Sequence, residues 1–316
     1  MMKPLNIAFS SFIQEIRSFF LSQNFIEIYA PPLTDLPCME AHLQPFRIHS
    51  LDGVPGRYLF TSPEFYLKEC LLTTPKADLQ NGIFSFSYSF RHDPKSPIHR
   101  QAFLMLEWYG LEQTLESMKF FIQELLKKPI FEMTMRDCIQ KYAEVDYYQI
   151  KTTQDWFELF KVKFPTLLIK GEQQTSPTDL AWDDYFHLLF LNYVEPHLKK
   201  YDFLFLTHYP SQCRALAKLT PNDPSSSLRA ELFVKGIEIG NGYEECTALK
   251  DYEEIYQKSL IEKEKIYGHK LEANLSKLSF FKSLQINDLP KCSGMAIGVE
   301  RLFQVLHNNN YFTSQW

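Results

Sequence analysis

The chain has 316 residues, and its 33 Lys and Arg residues against 38 Asp and Glu residues give a formal net charge of −5. That charge does not supply the broad basic surface by which proteins grip nucleic acid through its phosphates, although a local basic patch stays open. The six cysteines lie far apart without a C-x-x-C pair, so neither a zinc site nor a disulfide framework is indicated, and a reducing cytoplasm is the expected location.

The N-terminal segment predicts a helix followed by a short strand. Phenylalanine and isoleucine recur at helical spacing over residues 9–20, and residues 25–29 read as a strand that Pro31 and Pro32 end. Charged residues interrupt the apolar run of this helix, and no other segment reaches the roughly 20 apolar residues that cross a bilayer. We therefore expect no membrane insertion. Taken alone, this pattern is that of an ordinary amphipathic helix packed on a sheet.

An aromatic run at residues 83–90 ends at Arg91, and a second strand-like run follows at residues 103–109 after a polar turn that contains prolines. This pattern predicts a β-hairpin with a long loop. The planar guanidinium group of arginine matches the oxygens of phosphate or carboxylate in pairs. Arg91, at the end of a strand, is therefore a candidate anion-binding residue.

The middle of the chain is its least informative part. Residues 183–194 predict a buried helix, and residues 230–239 predict a strand that carries Glu231 and Glu238. At two-residue alternation, the seven-residue spacing of the two carboxylates places them on opposite faces of that strand, unless a bend at Gly236 resets the phase.

The C-terminal part contains a second arginine of interest. Residues 251–267 mix Glu and Lys at helical spacing and predict a solvated helix. A glycine-punctuated strand then runs up to Arg301, which opens an apolar helical run, and such a helix start suits an anion. Arg91 and Arg301 together suggest a polyphosphate site. Strands joined by hairpins predict an α+β fold with an antiparallel sheet flanked by helices.

Several segments together resemble the class II aminoacyl-tRNA synthetases. Phe90-Arg91 with Glu107 is similar to the second signature motif of that family, and GMAIGVERL at residues 294–302 is similar to the third. The N-terminal helix, strand and proline are similar to the first motif, which builds a dimer interface in that family. The resemblance implies a class II synthetase catalytic core.

Shorter stretches narrow the resemblance to the lysyl branch. They are TSPE at residues 61–64, MLEWY at 105–109 and GIEIGNGY at 236–243. Within that branch, KCSGMA at 291–296 is most similar to the short paralogues that modify elongation factor P. The resemblance covers nearly the whole chain and is weakest over residues 111–200.

The resemblance implies that ATP activates a carboxylate, which attacks the α-phosphate and expels pyrophosphate. Arg91 would hold the α-phosphate and the incoming carboxylate, and Arg301 would hold the γ-phosphate, so that catalysis is positioning plus electrostatic stabilisation. Asp93 stands where the family usually carries glutamate and would contact the adenine side. The remaining ATP-site positions are His99 at the terminal phosphates, Phe103 stacked on adenine, and Glu231 and Glu238 as ligands of Mg²⁺.

A lysine-like substrate brings two ammonium groups, which need carboxylates in a partly dry pocket. By the resemblance, Glu64 lies near the α-amino group and Glu245 pairs with the ε-ammonium group. The other pocket positions are Glu107, Tyr109, Asn241, Tyr243 and Ala296. Ala296 stands where lysine-charging synthetases usually have glycine. Its methyl group can discriminate by about 1–3 kcal/mol, in favour of a differently branched amine such as β-lysine over α-lysine.

The resemblance therefore implies an ATP-dependent ligase that forms the adenylate of lysine or (R)-β-lysine and passes the acyl group to a lysine of elongation factor P. Two alternatives stay open: a truncated lysyl-tRNA synthetase that charges tRNA, and a catalytically silent amino-acid-binding regulator. Because the first motif begins close to Met1, we expect one catalytic domain over residues 1–316 and no N-terminal anticodon-binding domain. We also expect a homodimer and no stable tRNA binding.

Overall fold

The computed structural model describes residues 3–35, 39–40, 43–49, 57–92, 100–170, 173–174, 176, 180–267 and 278–307. Its α-helices are α1 Lys3–Ser22, α2 Glu64–Thr73, α3 Leu115–Leu126, α4 Met135–Ala143, α5 Thr153–Lys163, α6 Trp182–Leu189, α7 Glu195–Leu198, α8 Leu249–Tyr267, α9 Ser279–Ile286 and α10 Val299–His307. Its strands are β1 Phe25–Glu27, β2 Leu33–Thr34, β3 Tyr58–Leu59, β4 Gly82–Phe90, β5 Ala102–Leu111, β6 Phe131–Thr134, β7 Ile169–Lys170, β8 Gln173–Gln174, β9 Phe203–Thr207, β10 Leu219–Thr220, β11 Asp223–Ser227, β12 Arg229–Val234, β13 Ile237–Glu244 and β14 Cys292–Gly298. None of the helices in this described part is long and apolar enough to cross a membrane.

Contacts divide the chain into two compact units. The first comprises Met1–Lys127, Ala215–Ala217 and Ile239–Trp316, and the second comprises Lys128–Arg214 and Lys218–Glu238. The last point at which the chain passes from one unit to the other, between Glu238 and Ile239, falls within β13. The expectation of one domain over residues 1–316 stays a prediction.

The sheet of the first unit runs in the order β1-β4-β5-β14-β13. Strand β1 pairs with β4 in parallel, and the other three pairings are antiparallel. Strands β4 and β5 form the predicted hairpin, with its register running from Gly82 opposite Gly110 to Phe90 opposite Ala102. Arg91 directly follows the last residue of β4, as the aromatic run in the sequence predicts.

One face of this sheet is an aromatic core. Phe84 of β4 lies opposite Trp108 of β5, and both rings contact Phe20 of α1, at centroid distances of 4.7 and 5.4 Å. Phe121 of α3 lies against the same rings, 5.2 Å from Phe20 and 5.9 Å from Trp108. Burial of each large aromatic side chain contributes about 1.5–3 kcal/mol to the stability of the fold, so these rings fix which face of β4 and β5 packs against α1 and α3. Successive residues of a strand alternate in direction, so Glu107 must point to the opposite face.

That opposite face packs against α2, α8 and α9. Its apolar core includes Leu67 of α2, Tyr252 of α8 and Phe280 of α9. Four residues of α8 at helical spacing are buried: Tyr252, Tyr256, Ser259 and Lys263. The prediction of a solvated helix is therefore wrong for one face of α8, since most of its charged residues occupy the other positions and Lys263 within the buried stripe adds to the polar pattern.

The second unit is built on the strand order β12-β9-β6. Strand β9 pairs antiparallel with β12 and parallel with β6. Its core joins Trp156 of α5 and Tyr185 of α6 to Leu204 of β9. The predicted buried helix at residues 183–194 is present as α6, continued by one π-helical turn at Phe190–Val194.

The predicted single strand at residues 230–239 is wrong. Strand β12 ends at Val234, and the chain turns at Lys235 and Gly236, whose φ angles are 52° and 81°, before β13 begins. Such positive angles favour glycine. A Cβ atom at Gly236 would also lie 2.7 Å from the backbone nitrogen of Lys199. The β-prone residues on both sides of the turn conceal it in the sequence.

Candidate active site

Helix α2 presents the first two charged groups of the site. Its first residue, Glu64, follows Pro63, and its N–H donates to Ser62 Oγ at 3.3 Å. Lys68 lies one turn later on the same face of the helix and is completely buried. Its Nζ lies 2.6 Å from Glu64 Oε1 and 2.6 Å from Glu245 Oε2. The carboxylate predicted to bind the substrate ammonium is thus paired with a lysine of the chain itself.

Strand β5 contributes a carboxylate on the same side of the sheet. Tyr109 and Glu107 alternate onto one face, and the Tyr109 hydroxyl donates to Glu107 Oε1 at 2.6 Å. Glu107 is only 3% exposed, and its Oε2 is buried without a hydrogen-bond partner among the described residues. Glu245 repeats this pattern, since Lys68 takes Oε2 and Oε1 stays unpartnered in the described part of the chain. Each buried carboxylate is held by one oxygen and offers the other.

Burial controls the protonation of this cluster. It raises the pKa of Glu107 to about 8, with the charge of Glu64 adding to the shift and the Tyr109 hydrogen bond opposing it. Burial also raises the pKa of Glu245 to about 7, although the charge of Lys68 acts in the opposite sense. For Lys68, burial alone would lower the pKa, but Glu245 and Glu64 raise it well above its usual value, so this amine stays an ammonium group.

Strands β14 and β13 complete the wall of the site. Ala296 lies opposite Glu107 on one side and Asn241 on the other, so these three residues form a row across the sheet. The next row joins Tyr109, Gly294 and Tyr243. A Cβ atom at Gly294 would lie 2.6 Å from the Tyr109 ring, so glycine lets that ring lie over β14.

All seven residues predicted for the amino-acid site belong to the first unit. Six of them lie on β5, β14 and β13 or directly after β13, on the face of the sheet that packs against α2, and Glu64 lies on α2 itself. The Asn241 side-chain amide donates to the Tyr243 hydroxyl at 2.8 Å, and the Ala296 methyl group is partly exposed beside it. The structure brings these three residues together with the carboxylates in a polar, largely buried lining.

Arg91 sits at the end of β4 with an unused donor. Its backbone N–H donates to the Gln101 carbonyl oxygen at 2.9 Å, and its guanidinium carbon lies 5.2 Å from the centre of the Phe103 ring. Its Nε is buried and has no hydrogen-bond partner within the described ranges. Such a donor fits an anion, and the partly exposed Phe103 ring, which Arg91 contacts, offers a planar surface for stacking. Asp93 and His99 lie outside the described residues.

Arg301 lies in the first turn of α10 and is partly exposed. Its neighbour Glu300 is buried, and both of its carboxylate oxygens accept the N–H of Leu104, at 2.8 and 2.9 Å. This bond ties the start of α10 to the start of β5. Burial raises the pKa of Glu300, and the Leu104 hydrogen bond opposes that shift. Sequence analysis missed this anchoring role, although Glu300 stands beside Arg301 in the third motif.

Glu231 and Glu238 belong to the second unit. Arg229 Nη2 donates to Glu231 Oε1 at 2.7 Å, and the Arg229 guanidinium carbon lies 4.7 Å from the Tyr209 ring centre. Burial first, then the charge of Glu231 and more weakly that of Glu238, raises the pKa of Tyr209. The charges of both carboxylates thus reach the Tyr209 hydroxyl group. The turn at Gly236 places the two carboxylates on separate strands, β12 and β13.

Two carboxylates are a partial set of metal ligands. The described residues contain no group of three or more His, Cys, Asp or Glu side chains able to hold a metal ion. Oxygen ligands of this kind fit Mg²⁺, which takes one or two carboxylates and completes its shell with phosphate oxygens and water.

Lys68 is the main residue that sequence analysis missed. Its only local signal is the Glu-Lys pair four residues apart on a helix, which usually marks an exposed ion pair. Its burial depends on Glu245, which is 177 residues away in sequence.

Comparison with known proteins assigns nearly the whole chain to the family that its sequence motifs resemble. The family model for class II tRNA synthetases (D, K and N) matches residues 2–312. A protein of Buchnera aphidicola subsp. Acyrthosiphon pisum named elongation factor P--(R)-beta-lysine ligase is 32% identical over 95% of this chain and 90% of its own. Proteins with the same name from Buchnera aphidicola subsp. Schizaphis graminum and Salmonella arizonae are 29% and 26% identical, over 95% and 93% of this chain and 91% and 88% of theirs.

These matches agree with the geometry of the described residues. The resemblance to the elongation factor P ligases and the α+β fold with an antiparallel sheet flanked by helices are both confirmed. The hairpin whose first strand ends next to Arg91, and the strand that leads to Arg301, occupy the places that the second and third signature motifs predict. The chain therefore belongs to the family of class II tRNA synthetases (D, K and N).

Proposed function

We propose that this chain activates lysine or (R)-β-lysine with ATP and transfers the acyl group to a lysine side chain of elongation factor P. The observation that carries the proposal is the pair of buried carboxylate oxygens, Glu107 Oε2 and Glu245 Oε1, that have no partner among the described residues. A buried unpaired carboxylate oxygen is costly, and an ammonium group satisfies it. The acceptor is suggested by the relatives, which are named as ligases of elongation factor P.

The amino-acid end of the site suits a diamino acid. Glu107 and Glu245 would receive the side-chain ammonium group through their open oxygens, and Glu64 would lie near the second amino group. The Ala296 methyl group stands between Glu107 and Asn241 on the same face, where it would narrow the space for the substrate backbone. This position supports discrimination between α-lysine and β-lysine.

Activation would follow from positioning. A carboxylate oxygen of the amino acid attacks the α-phosphorus of ATP, the bond to the leaving oxygen breaks, and pyrophosphate departs. Negative charge spreads over the phosphoryl oxygens, and fixed cationic donors stabilise it. Arg91 would supply such a donor at the α-phosphate through its unused Nε, Arg301 would hold the γ-phosphate, and Phe103 would stack on the adenine.

The second step would transfer the acyl group to the acceptor. The neutral ε-amino nitrogen of the acceptor lysine attacks the acyl carbon, the bond from that carbon to AMP breaks, and the nitrogen loses a proton. The product is an amide. A side-chain nucleophile is unnecessary, because the mixed anhydride is already activated.

Glu231 and Glu238 would hold Mg²⁺ together with phosphate oxygens of ATP. When bound, this ion neutralises charge on those oxygens. Asp93 and His99 keep their predicted roles at the adenine and at the terminal phosphates.

We also propose that the chain forms a homodimer through its first motif. Helix α1 leaves Ile7 and Leu21 63% and 51% exposed, and Tyr29, which follows β1, is 80% exposed. Large apolar side chains left exposed along one motif favour an interface with a second copy. Sedimentation of the wild-type chain and of Leu21→Glu would test it: a dimer that the substitution dissociates is expected, and a wild-type monomer that turns over would contradict the proposal.

Amino-acid-dependent pyrophosphate exchange tests the activation step. α-Lysine or (R)-β-lysine should support exchange, whereas norleucine, which lacks the side-chain ammonium group, should not. Glu245→Gln should abolish exchange because it removes the charge that pairs with this group. The control is Glu112→Gln, at an exposed ion pair with Lys76, which should leave exchange unchanged. Equal exchange with norleucine, or full activity of Glu245→Gln, would contradict the proposed substrate class.

A further inference from the structure

We propose that Lys68 is a positioning residue for amine recognition: its ammonium group orients Glu245, cancels one of the three carboxylate charges of the site, and thereby sets the charge that a diamino acid meets. This inference rests on the proposed function, since it concerns the same substrate. It assigns a role to a residue that touches carboxylates rather than the reacting atoms.

The first observation is the cost of placing this lysine. Lys68 is completely buried, although lysine normally keeps its ammonium group in water. A buried ion pair contributes little net stability, because the loss of hydration offsets the attraction between the charges. The geometry at Lys68 Nζ, with Glu64 Oε1 and Glu245 Oε2 both at 2.6 Å, therefore points to a role beyond holding the fold.

The second observation is the direction in which Glu245 is held. Lys68 binds Oε2 and leaves Oε1 buried without a partner among the described residues. Tyr109 holds Glu107 in the same way, by Oε1, and leaves Oε2 open. Because one oxygen of each carboxylate is fixed, the direction of the other is fixed too, and the receptor for an ammonium group is formed before the substrate arrives.

The third observation is the balance of charge. Glu64, Glu107 and Glu245 are three carboxylates, and Lys68 binds two of them through one ammonium group. Two negative charges remain when all groups are ionised, which equals the number of ammonium groups on a diamino acid. The substrate carboxylate is left for a separate cation. Without Lys68, three carboxylates would lie together with no ammonium group from the described part of the chain between them, and one of them would be driven to take up a proton.

The groups around Lys68 determine what its removal does. They are Glu64 on α2, Glu245 after β13, Tyr252 on α8, and Tyr109 with Glu107 on β5. Burial strongly raises the pKa of Tyr109 and of Tyr252, so both stay neutral phenols. The charge of Lys68 is the largest influence that lowers the pKa of Glu245. Its loss would raise that pKa further, and Glu245 would lose its charge at neutral pH.

The test compares three substitutions over a range of pH. Lys68→Met and Lys68→Gln remove the charge, the second keeping a hydrogen-bond donor, and Lys68→Arg keeps the charge. Lys76→Met is the control, because it removes one lysine charge from an ion pair that is exposed on both sides. Each variant is measured by pyrophosphate exchange with α-lysine and (R)-β-lysine, by lysine binding in a calorimeter, and by urea unfolding.

At neutral pH, Lys68→Met and Lys68→Gln should have a KM about tenfold or more above that of wild type, with a smaller change in kcat. The acidic limb of the profile, where kcat/KM falls as the pH is lowered, should move up by about one pH unit or more. Lys68→Arg should keep the wild-type limb, and Lys76→Met should match wild type throughout. An equal loss at every pH, with the limb unmoved, would make Lys68 a packing residue and overturn the proposal. So would unfolding of both neutral variants across the whole pH range.

Failure of the proposed function can be told apart from failure of the role of Lys68. Absence of exchange by the wild-type chain with both lysine isomers counts against the function alone. The role of Lys68 is then judged by lysine binding, where the neutral variants should lose affinity at neutral pH and recover it in alkali. Unchanged affinity in those variants would overturn the role of Lys68.

Discussion

Binding of a diamino acid should release protons from the site. Burial, with the charge of Glu64, raises the pKa of Glu107 to about 8, and burial raises the pKa of Glu245 to about 7. An ammonium group bound to their open oxygens favours the ionised form of both carboxylates and so lowers both pKa values. Lowering the pH below neutrality should therefore weaken binding, because protons must leave before the ammonium group can pair.

The magnitude follows from these values. At pH 7, a carboxyl group of pKa about 8 is roughly nine-tenths protonated, and one of pKa about 7 is about half protonated, so binding that ionises both should release roughly 1.4 protons. Because the free site holds more protons than the complex, affinity must rise with pH and level off above about pH 8. Between about pH 6 and 7, removal of one proton from Glu107 becomes easier by about 1.4 kcal/mol, which is about tenfold in affinity.

Calorimetry in several buffers measures this release directly. Lysine is titrated into the protein at constant pH, between about pH 6 and 7.5, where both amino groups of free lysine stay protonated. The slope of the binding enthalpy against the ionisation enthalpy of the buffer gives the number of protons released. Glu107→Gln should reduce that number by most of one proton, whereas Glu112→Gln, an exposed substitution, should leave it unchanged. A binding enthalpy independent of the buffer would refute the reasoning, since the carboxylates would then be ionised before the substrate binds.

Three further substitutions test other parts of the site. Arg301→Ala should lower pyrophosphate exchange by orders of magnitude while urea unfolding stays as in wild type, and a fully active variant would remove Arg301 from the site. Tyr109→Phe should lower the free energy of unfolding by about 1–3 kcal/mol and raise KM for lysine, because Glu107 Oε1 loses its donor inside the protein; unchanged unfolding would show that this bond is dispensable. Ala296→Gly should raise kcat/KM for α-lysine relative to β-lysine by roughly 10- to 200-fold, and an unchanged ratio would show that the methyl group does not select the substrate.

Local sequence patterns made the elements around Arg91 and Arg301 predictable. Aromatic residues alternate with serines over residues 84–90, and a second β-prone run follows at residues 103–109, so the sequence shows both strands of the hairpin and places Arg91 where the first one ends. Glycines in β14 followed by an apolar helical run similarly indicated the strand and helix around Arg301. In both cases the residues that define the element are neighbours in sequence.

The sequence patterns fail where residues distant in the sequence, or a single backbone angle, determine the structure. The sequence around Lys68 indicates an exposed ion pair on a helix. In the structure Lys68 is buried because it also pairs with Glu245, which is 177 residues away in sequence. The turn at Gly236 is marked by one glycine in an otherwise β-prone run, so the hairpin reads as one strand. The charged residues of α8 likewise suggest a solvated helix, because its buried stripe is set by packing.

The central claim is transfer of an activated diamino acid to a protein acceptor. The direct measurement is a competition in which the wild-type chain, ATP and Mg²⁺ are incubated with α-lysine or (R)-β-lysine, elongation factor P and tRNA together. The factor is then analysed by mass spectrometry, and the tRNA is assayed for attached amino acid. Our account predicts one added lysyl mass on a single lysine of the factor and little or no charged tRNA. Charged tRNA beside an unmodified factor, with both isomers, would contradict it.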